Sequence, residues 1–177
     1  MGQSDLAGDS TLHAFTWTKE DGMQDIGTLP GDTASAAFGT NDLDQVVGGS
    51  CVDATFNSCR AFLWQDGVMT DLNTLVKPGS TPLYLVFGND INSRGEIAFY
   101  TFDQNNGEFH AAMGIPCDAH HADVEGCEEQ STGAGMVPVT SERPKVTLPE
   151  NIREQLQKRL GFGRFGRDSR QLDFWHR

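Results

Sequence analysis

Short apolar runs with a period-two alternation fill the first hundred residues, and Gly, Asp, Asn or Pro closes each run. In His13-Ala14-Phe15-Thr16-Trp17 the aromatic side chains fall on one face of a strand, with Ala14 and Thr16 on the other. Asp21-Gly22 and Asp66-Gly67 supply turns of the kind in which both central residues take positive φ. The alternation predicts a second strand over 23–29 and again over 68–75, and a third over 36–41 and 83–89. A fourth is expected over 45–50 and 96–102, after polar turns at 42–44 and 92–95. Asn105-Asn106-Gly107 then turns into a strand near Phe109, with His110-Ala111-Ala112 opening a further, decayed unit.

These elements come in matching sets. His13-Ala14-Phe15-Thr16-Trp17 is answered by Arg60-Ala61-Phe62-Leu63-Trp64, and Met23-Gln24-Asp25-Ile26-Gly27-Thr28-Leu29 by Met69-Thr70-Asp71-Leu72-Asn73-Thr74-Leu75. The stretch from Asn41 to Val47 returns more loosely from Asn92 to Ala98, and Met1-Gly2-Gln3-Ser4 aligns with Val47-Gly48-Gly49-Ser50. A period in the high forties with four short strands per unit predicts propeller blades. The expected fold is all-β: a partial β-propeller-like repeat array of about two four-stranded blades, plus a short C-terminal helix and a disordered tail. The expected divisions are residues 1–10 as the end of a truncated upstream repeat, 11–50 as the first repeat and 51–104 as the second. A decayed third repeat with a cysteine loop then covers 105–130, a linker 131–147, an amphipathic helix 148–161 and a basic aromatic tail 162–177. A closed propeller needs roughly 4–8 blades, so further repeats of a longer parent chain are the expected neighbours, with Met1 an internal methionine. A small β-sandwich with two merely similar halves is the alternative.

Charge and cysteine placement narrow the function classes. The formal net charge is −12, and residues 141–177 carry nine Lys and Arg against five Asp and Glu, so the rest of the chain holds −16. An acidic body repels nucleic acid and anionic membrane surfaces. No apolar run approaches transmembrane length, and the acidic Met1–Asp5 start is no signal peptide. The cysteines form two close pairs, Cys51 with Cys59 and Cys117 with Cys127, the spacing of short disulfide-closed loops in an oxidising compartment. An extracellular or periplasmic parent protein reconciles such pairs with the missing signal peptide.

Candidate chemistry is weaker than the repeat. Cys117, His120, His121 and Cys127 are zinc-ligand types, but one short loop would have to supply all four, and a disulfide with solvated histidines is preferred. His13 and His110 open strands at equivalent places and Arg60 stands between them; since Arg cannot act as a base, a structural role is expected for the position. Gly8-Asp9-Ser10 lacks a nucleophile elbow, and Gly161-Phe162-Gly163-Arg164-Phe165-Gly166 matches the dinucleotide fingerprint without its strand-to-helix setting. Asn41-Asp42-Leu43-Asp44 and Asn89-Asp90 offer oxygens for calcium but lack the loop spacing, and Asx-turns explain them; Asn92 is expected to be a structural repeat position, the counterpart of Asn41. Phe15, Trp17, Phe62 and Trp64 are candidate carbohydrate-stacking aromatics, although their repetition in register favours packing. No catalytic residue and no cofactor are assigned.

The motif set His13-Ala14-Phe15…Trp17, Gly22-Met23…Asp25-Ile26…Thr28-Leu29 and Asn41-Asp42…Gln45-Val46-Val47-Gly48 resembles the bacterial HAF repeat proteins, a family of probable extracellular repeats. The resemblance covers roughly residues 1–130, including Ile115-Pro116-Cys117 to Glu125-Gly126-Cys127, and departs from the name-giving motif at Arg60 and Ala112. It implies location and architecture and transfers no active site. The expected function is therefore a non-enzymatic secreted scaffold binding an extracellular protein or glycan. The alternative is a fragment of a glycan-processing enzyme whose active site lies on missing repeats, or a degraded gene fragment.

Overall fold

The fold is that of a computed structural model, which describes residues 1–5, 11–76, 81–118, 144 and 146–159. It comprises two compact units, Met1–Thr147 and Leu148–Arg177. The first is all-β, built of three antiparallel sheets. β1 (Gly2–Asp5), β2 (Leu12–Thr18) and β3 (Gly22–Gly27) form the first sheet in the order β1-β2-β3. The second is a four-stranded meander of β4 (Ala34–Thr40), β5 (Val46–Cys51), β6 (Cys59–Gln65) and β7 (Val68–Asp71). β8 (Leu83–Ile91), β9 (Ile97–Asp103) and β10 (Phe109–Gly114) form the third in the order β10-β9-β8.

Each sheet straddles the boundary of the sequence repeat. The second joins the third and fourth strands of one repeat to the first two strands of the next. The register is common to all three sheets. Ser4 lies opposite His13, Ser50 opposite Arg60 and Thr101 opposite His110; likewise Gly2 opposite Phe15 and Gly48 opposite Phe62. A Cβ at Gly48 would sit 2.0 Å from the Ala36 carbonyl oxygen and 2.8 Å from the Phe62 ring, and one at Gly2 would sit 3.0 Å from the Phe15 ring. Glycine is therefore required at Gly48, and at Gly2 a larger residue would crowd the phenylalanine. In the third sheet the large residue changes strands: Phe99 takes the glycine position and Ala112 faces it. That is why Ala112 stands where the motif expects Phe.

The sheets pack in succession, with the second between the other two. Ala14 and Ile26 of the first, with Leu29 on the link that follows it, meet Ala37, Val46 and Phe62 of the second. On its other side the second sheet offers Val47, Ala61 and Leu72 to Ile91, Ile97 and Phe99 of the third. Adjacent Val46 and Val47 thus point into different cores, and β5 is buried along its whole length. Ala14 and Ala61, and Ile26 and Leu72, are repeat equivalents, and each faces the following sheet.

Local differences from expectation have local causes. Asp66 (φ 52°) and Gly67 (φ 81°) make the expected two-residue turn, but only Gly22 is left-handed in its counterpart, because Thr18 pairs with Gly22 across three residues instead of two. β7 stops at Asp71, whose carboxylate caps a 3₁₀ turn, Leu72–Thr74, in place of strand over 72–75. In the second unit α1 (Glu150–Arg159) lies within the expected helix, and Pro149 stands just ahead of it, its carbonyl accepting from the Ile152 and Arg153 amides. Residue 160 onward, where the basic aromatic tail was expected, lies outside the described residues.

Candidate functional site

The recurring polar residues converge on the joints between sheets. In the repeated Met-x-Asp motif, Asp25 accepts from the Gly27 amide (2.8 Å) and Asp71 from the Asn73 amide (3.0 Å). Each aspartate also holds the side chain that opens the preceding strand's motif, Asp25 the His13 Nδ1 (2.9 Å) and Asp71 the Arg60 Nη1 (3.0 Å). Arg60 reaches further, to the connection between the first two sheets: its Nε donates to Asp32 Oδ2 (3.1 Å) and its Nη2 to the Pro30 carbonyl (2.6 Å). Ser50 Oγ donates to the same Asp32 oxygen (2.8 Å) and accepts from the Leu29 amide (2.9 Å). A guanidinium forked between two shielded carboxylates latches the joint.

A second polar bridge repeats with its parts exchanged. At the first joint the Ser35 hydroxyl donates to the Gly27 carbonyl (2.6 Å) and accepts from the Ala14 amide (2.9 Å). At the second, the Asn73 side chain bonds both ways to the Leu85 backbone (2.8 and 2.9 Å). Asn41 and Asn92 make matching Asx-turns, each side-chain oxygen accepting two amides: Leu43 and Gln45 for the first, Arg94 and Glu96 for the second. Asn41 Nδ2 also donates to the Asn92 carbonyl (2.9 Å), tying the two turns together. Of the oxygens offered for calcium, Asn41 Oδ1 is thus engaged by backbone amides, and Asp90 Oδ1 accepts from the Ile91 amide (2.9 Å).

The β5–β6 hairpin presents the best-organised exposed loop. A Cys51–Cys59 disulfide closes it at the base, and the Val52 amide bonds the Ser58 carbonyl (3.0 Å) just beyond. Inside, Asp53 accepts from the amide and the hydroxyl of Thr55, which hold its carboxyl below the ordinary carboxylate value. Phe56 is left-handed (φ 58°) and buried, anchoring the loop while Val52, Asp53 and Thr55 face solvent. A bulky non-glycine residue at positive φ is strained and marks a shape held by its surroundings. Nothing in the residue pattern foretold Phe56.

The remaining candidates are distributed. Phe62 is fully buried and Trp64 packs into the first joint, whereas Trp17 is 60% exposed and Phe15 half-buried. Tyr100 and Phe109 stack on the opposite surface, on the third sheet, with ring centroids 5.0 Å apart. His110 lies 3.8 Å from Glu108. Cys117 is disulfide-bonded, so its sulfur has no thiolate to offer zinc; His120, His121 and Cys127 lie outside the described residues. Among the described residues no cluster of His, Cys, Asp or Glu is placed to hold a metal ion, and no helix is long and apolar enough to cross a membrane. Compared with known proteins, the chain matches no family model, no curated protein and no solved structure.

Proposed function

We infer that the protein is a non-enzymatic extracellular scaffold: propeller-like sheets of the HAF-repeat kind carry a rigid loop, Val52–Ser58, that binds an extracellular ligand. The observation that carries this reading is where the repeated charged residues lie. Asp32, Arg60 and Asp71 serve an inter-sheet latch, and the repeat is spent on building a frame. The Cys51–Cys59 bridge is compatible with a secreted location. The common strand order and register of three successively packed sheets support the propeller-like reading, since each sheet runs as a meander and hands the chain to the next.

Pre-organisation gives the loop its use. The disulfide, the Asp53–Thr55 bonds and the Phe56 anchor remove freedom that binding would otherwise have to remove. The test is a glycan array probed with the full chain, disulfides formed, alongside an assay for released sugar. The scaffold reading expects retention without release, weakened at least tenfold in a Val52→Asp, Thr55→Ala variant. Sugar release would overturn it in favour of a glycan-processing enzyme. Retention unchanged in the variant would move binding away from this loop.

A further inference from the structure

We propose that the outer edge of β10 is a docking site for an extended peptide of a partner protein, which adds to the third sheet as an antiparallel strand. Among the described residues β10 ends its sheet, with β9 on one side. The Asp103 amide donates to the Glu108 carbonyl (2.8 Å) and the Thr101 hydroxyl to the His110 carbonyl (2.9 Å). Glu108, His110 and Ala112 therefore turn their backbone groups to β9, and Phe109, Ala111 and Met113 turn theirs outward. Their amides and carbonyls form the row to which a further strand can bond.

Edge strands are normally blunted by charge, proline, a bulge or shortness. The other edges of this protein are. β1 and β7 have four residues each and end on Asp5 and Asp71. The pairings of β3, β4 and β8 each contain a register shift. β10 pairs with β9 over six residues without a shift, and it holds no Pro, Lys, Arg, Asp or Glu. Ala111 is exposed and Met113 is 66% exposed. The chain leaving β10 turns away from this edge, since Pro116 lies beside Gly95 in the β8–β9 turn.

The backbone row selects the class of occupant. Alternating amides and carbonyls are complementary to another peptide backbone, which a sugar or a nucleotide does not reproduce. β2 and β6, the counterparts of β10, each take an antiparallel strand on this same edge. Side chains set the preferred sequence. Phe109 stacks on Tyr100 and tilts against Phe102, with centroids 5.0 and 5.2 Å apart, on the face that also carries Ala111 and Met113. Apolar residues of the docked strand fit beside them. Glu108, its side chain 69% exposed, stands just ahead of β10 and favours a lysine opposite it.

The test uses the full chain, with its disulfides formed, and the peptide acetyl-Thr-Val-Thr-Val-Thr-Val-Lys-amide. In antiparallel register its valine backbone groups meet Phe109, Ala111 and Met113, and its lysine meets Glu108. One form is N-methylated at the threonines, which leaves the valine donors intact; the other is N-methylated at the valines, which removes them. The first should bind with Kd about 100 µM or tighter and slow amide exchange at Phe109, Ala111 and Met113 in nuclear magnetic resonance. The second should bind at least about tenfold more weakly. Ala111→Pro displaces no bond to β9, so it should lose the first peptide by the same factor with unchanged far-UV circular dichroism. Should that variant misfold, the two peptides on the unsubstituted chain still decide. Equal binding of both peptides overturns the proposal, as does no binding of the first. Edge amides already protected in the free chain overturn it too, and so does a dimer of the chain that protects the same amides.

Discussion

Arg60 holds three partners: Asp71 on its own sheet, and Asp32 and the Pro30 carbonyl on the link from the sheet before. In the sequence it reads only as a departure from a histidine motif. The difference is one of reach, since His13 has its own Asp25 within range but a guanidinium can fork between two carboxylates. Because the Asp32 side chain is fully shielded from solvent, removing its cation is costly. Arg60→Ala should lower unfolding stability by about 3–5 kcal/mol in chemical denaturation, several times the cost of Arg94→Ala at the exposed Glu96 pair. Tyr100 gives a pH signature. Burial raises its phenol above the ordinary value of 10.0, so the folded chain favours the neutral form. The stability this confers is complete below the unfolded pKa and is lost as pH rises through the folded one. In a Tyr84→Phe background, phenolate absorbance should report a midpoint above 10.0, and thermal stability should fall over the same interval.

Among the elements, the hairpin and the third sheet show how the repeat bends without breaking. The disulfide closes a short loop, so replacing Cys51 and Cys59 together by Ser should cost about 2–3 kcal/mol from added freedom in the unfolded chain. Phe99 and Ala112 exchange the roles that Gly48 and Phe62 hold one sheet earlier. Ala112→Phe should therefore destabilise by overpacking, about 1–3 kcal/mol, and Phe99→Gly by emptying the core. Together they recreate the earlier pairing, and a double-mutant cycle should give a favourable coupling of at least about 1 kcal/mol. Strand identity was legible because alternation and turn residues are local signals. So was the alignment of Met1–Ser4 with Val47–Ser50, which the shared Gly–Phe register matches. The 3₁₀ turn at Leu72–Thr74 and the left-handed Phe56 were not, since each depends on what caps or buries it.

At the level of the assembled chain, the period in the residues and the grouping into sheets are out of phase. Sequence repetition shows which segments are equivalent; hydrogen bonding decides which of them share a sheet, and here each sheet takes strands from two repeats. This arrangement stitches successive repeats together through backbone ladders as well as through side-chain cores. It also explains why equivalent tryptophans differ in exposure: a residue's neighbour sheet, absent from the local pattern, sets its burial. The Arg60 latch and the Ser35 and Asn73 bridges were illegible for the same reason, being contacts across a joint.

The central claim is that one joint geometry recurs between successive sheets. Nuclear Overhauser contacts in the full chain test it directly. Phe62 ring protons should contact Ala14 and Ile26 methyls, and Phe99 ring protons should contact Ala61 and Leu72 methyls, the same pair of positions one repeat later. Contacts of Phe62 and Phe99 to non-equivalent residues, or a Phe99 ring without any contact to the second sheet, would contradict the account.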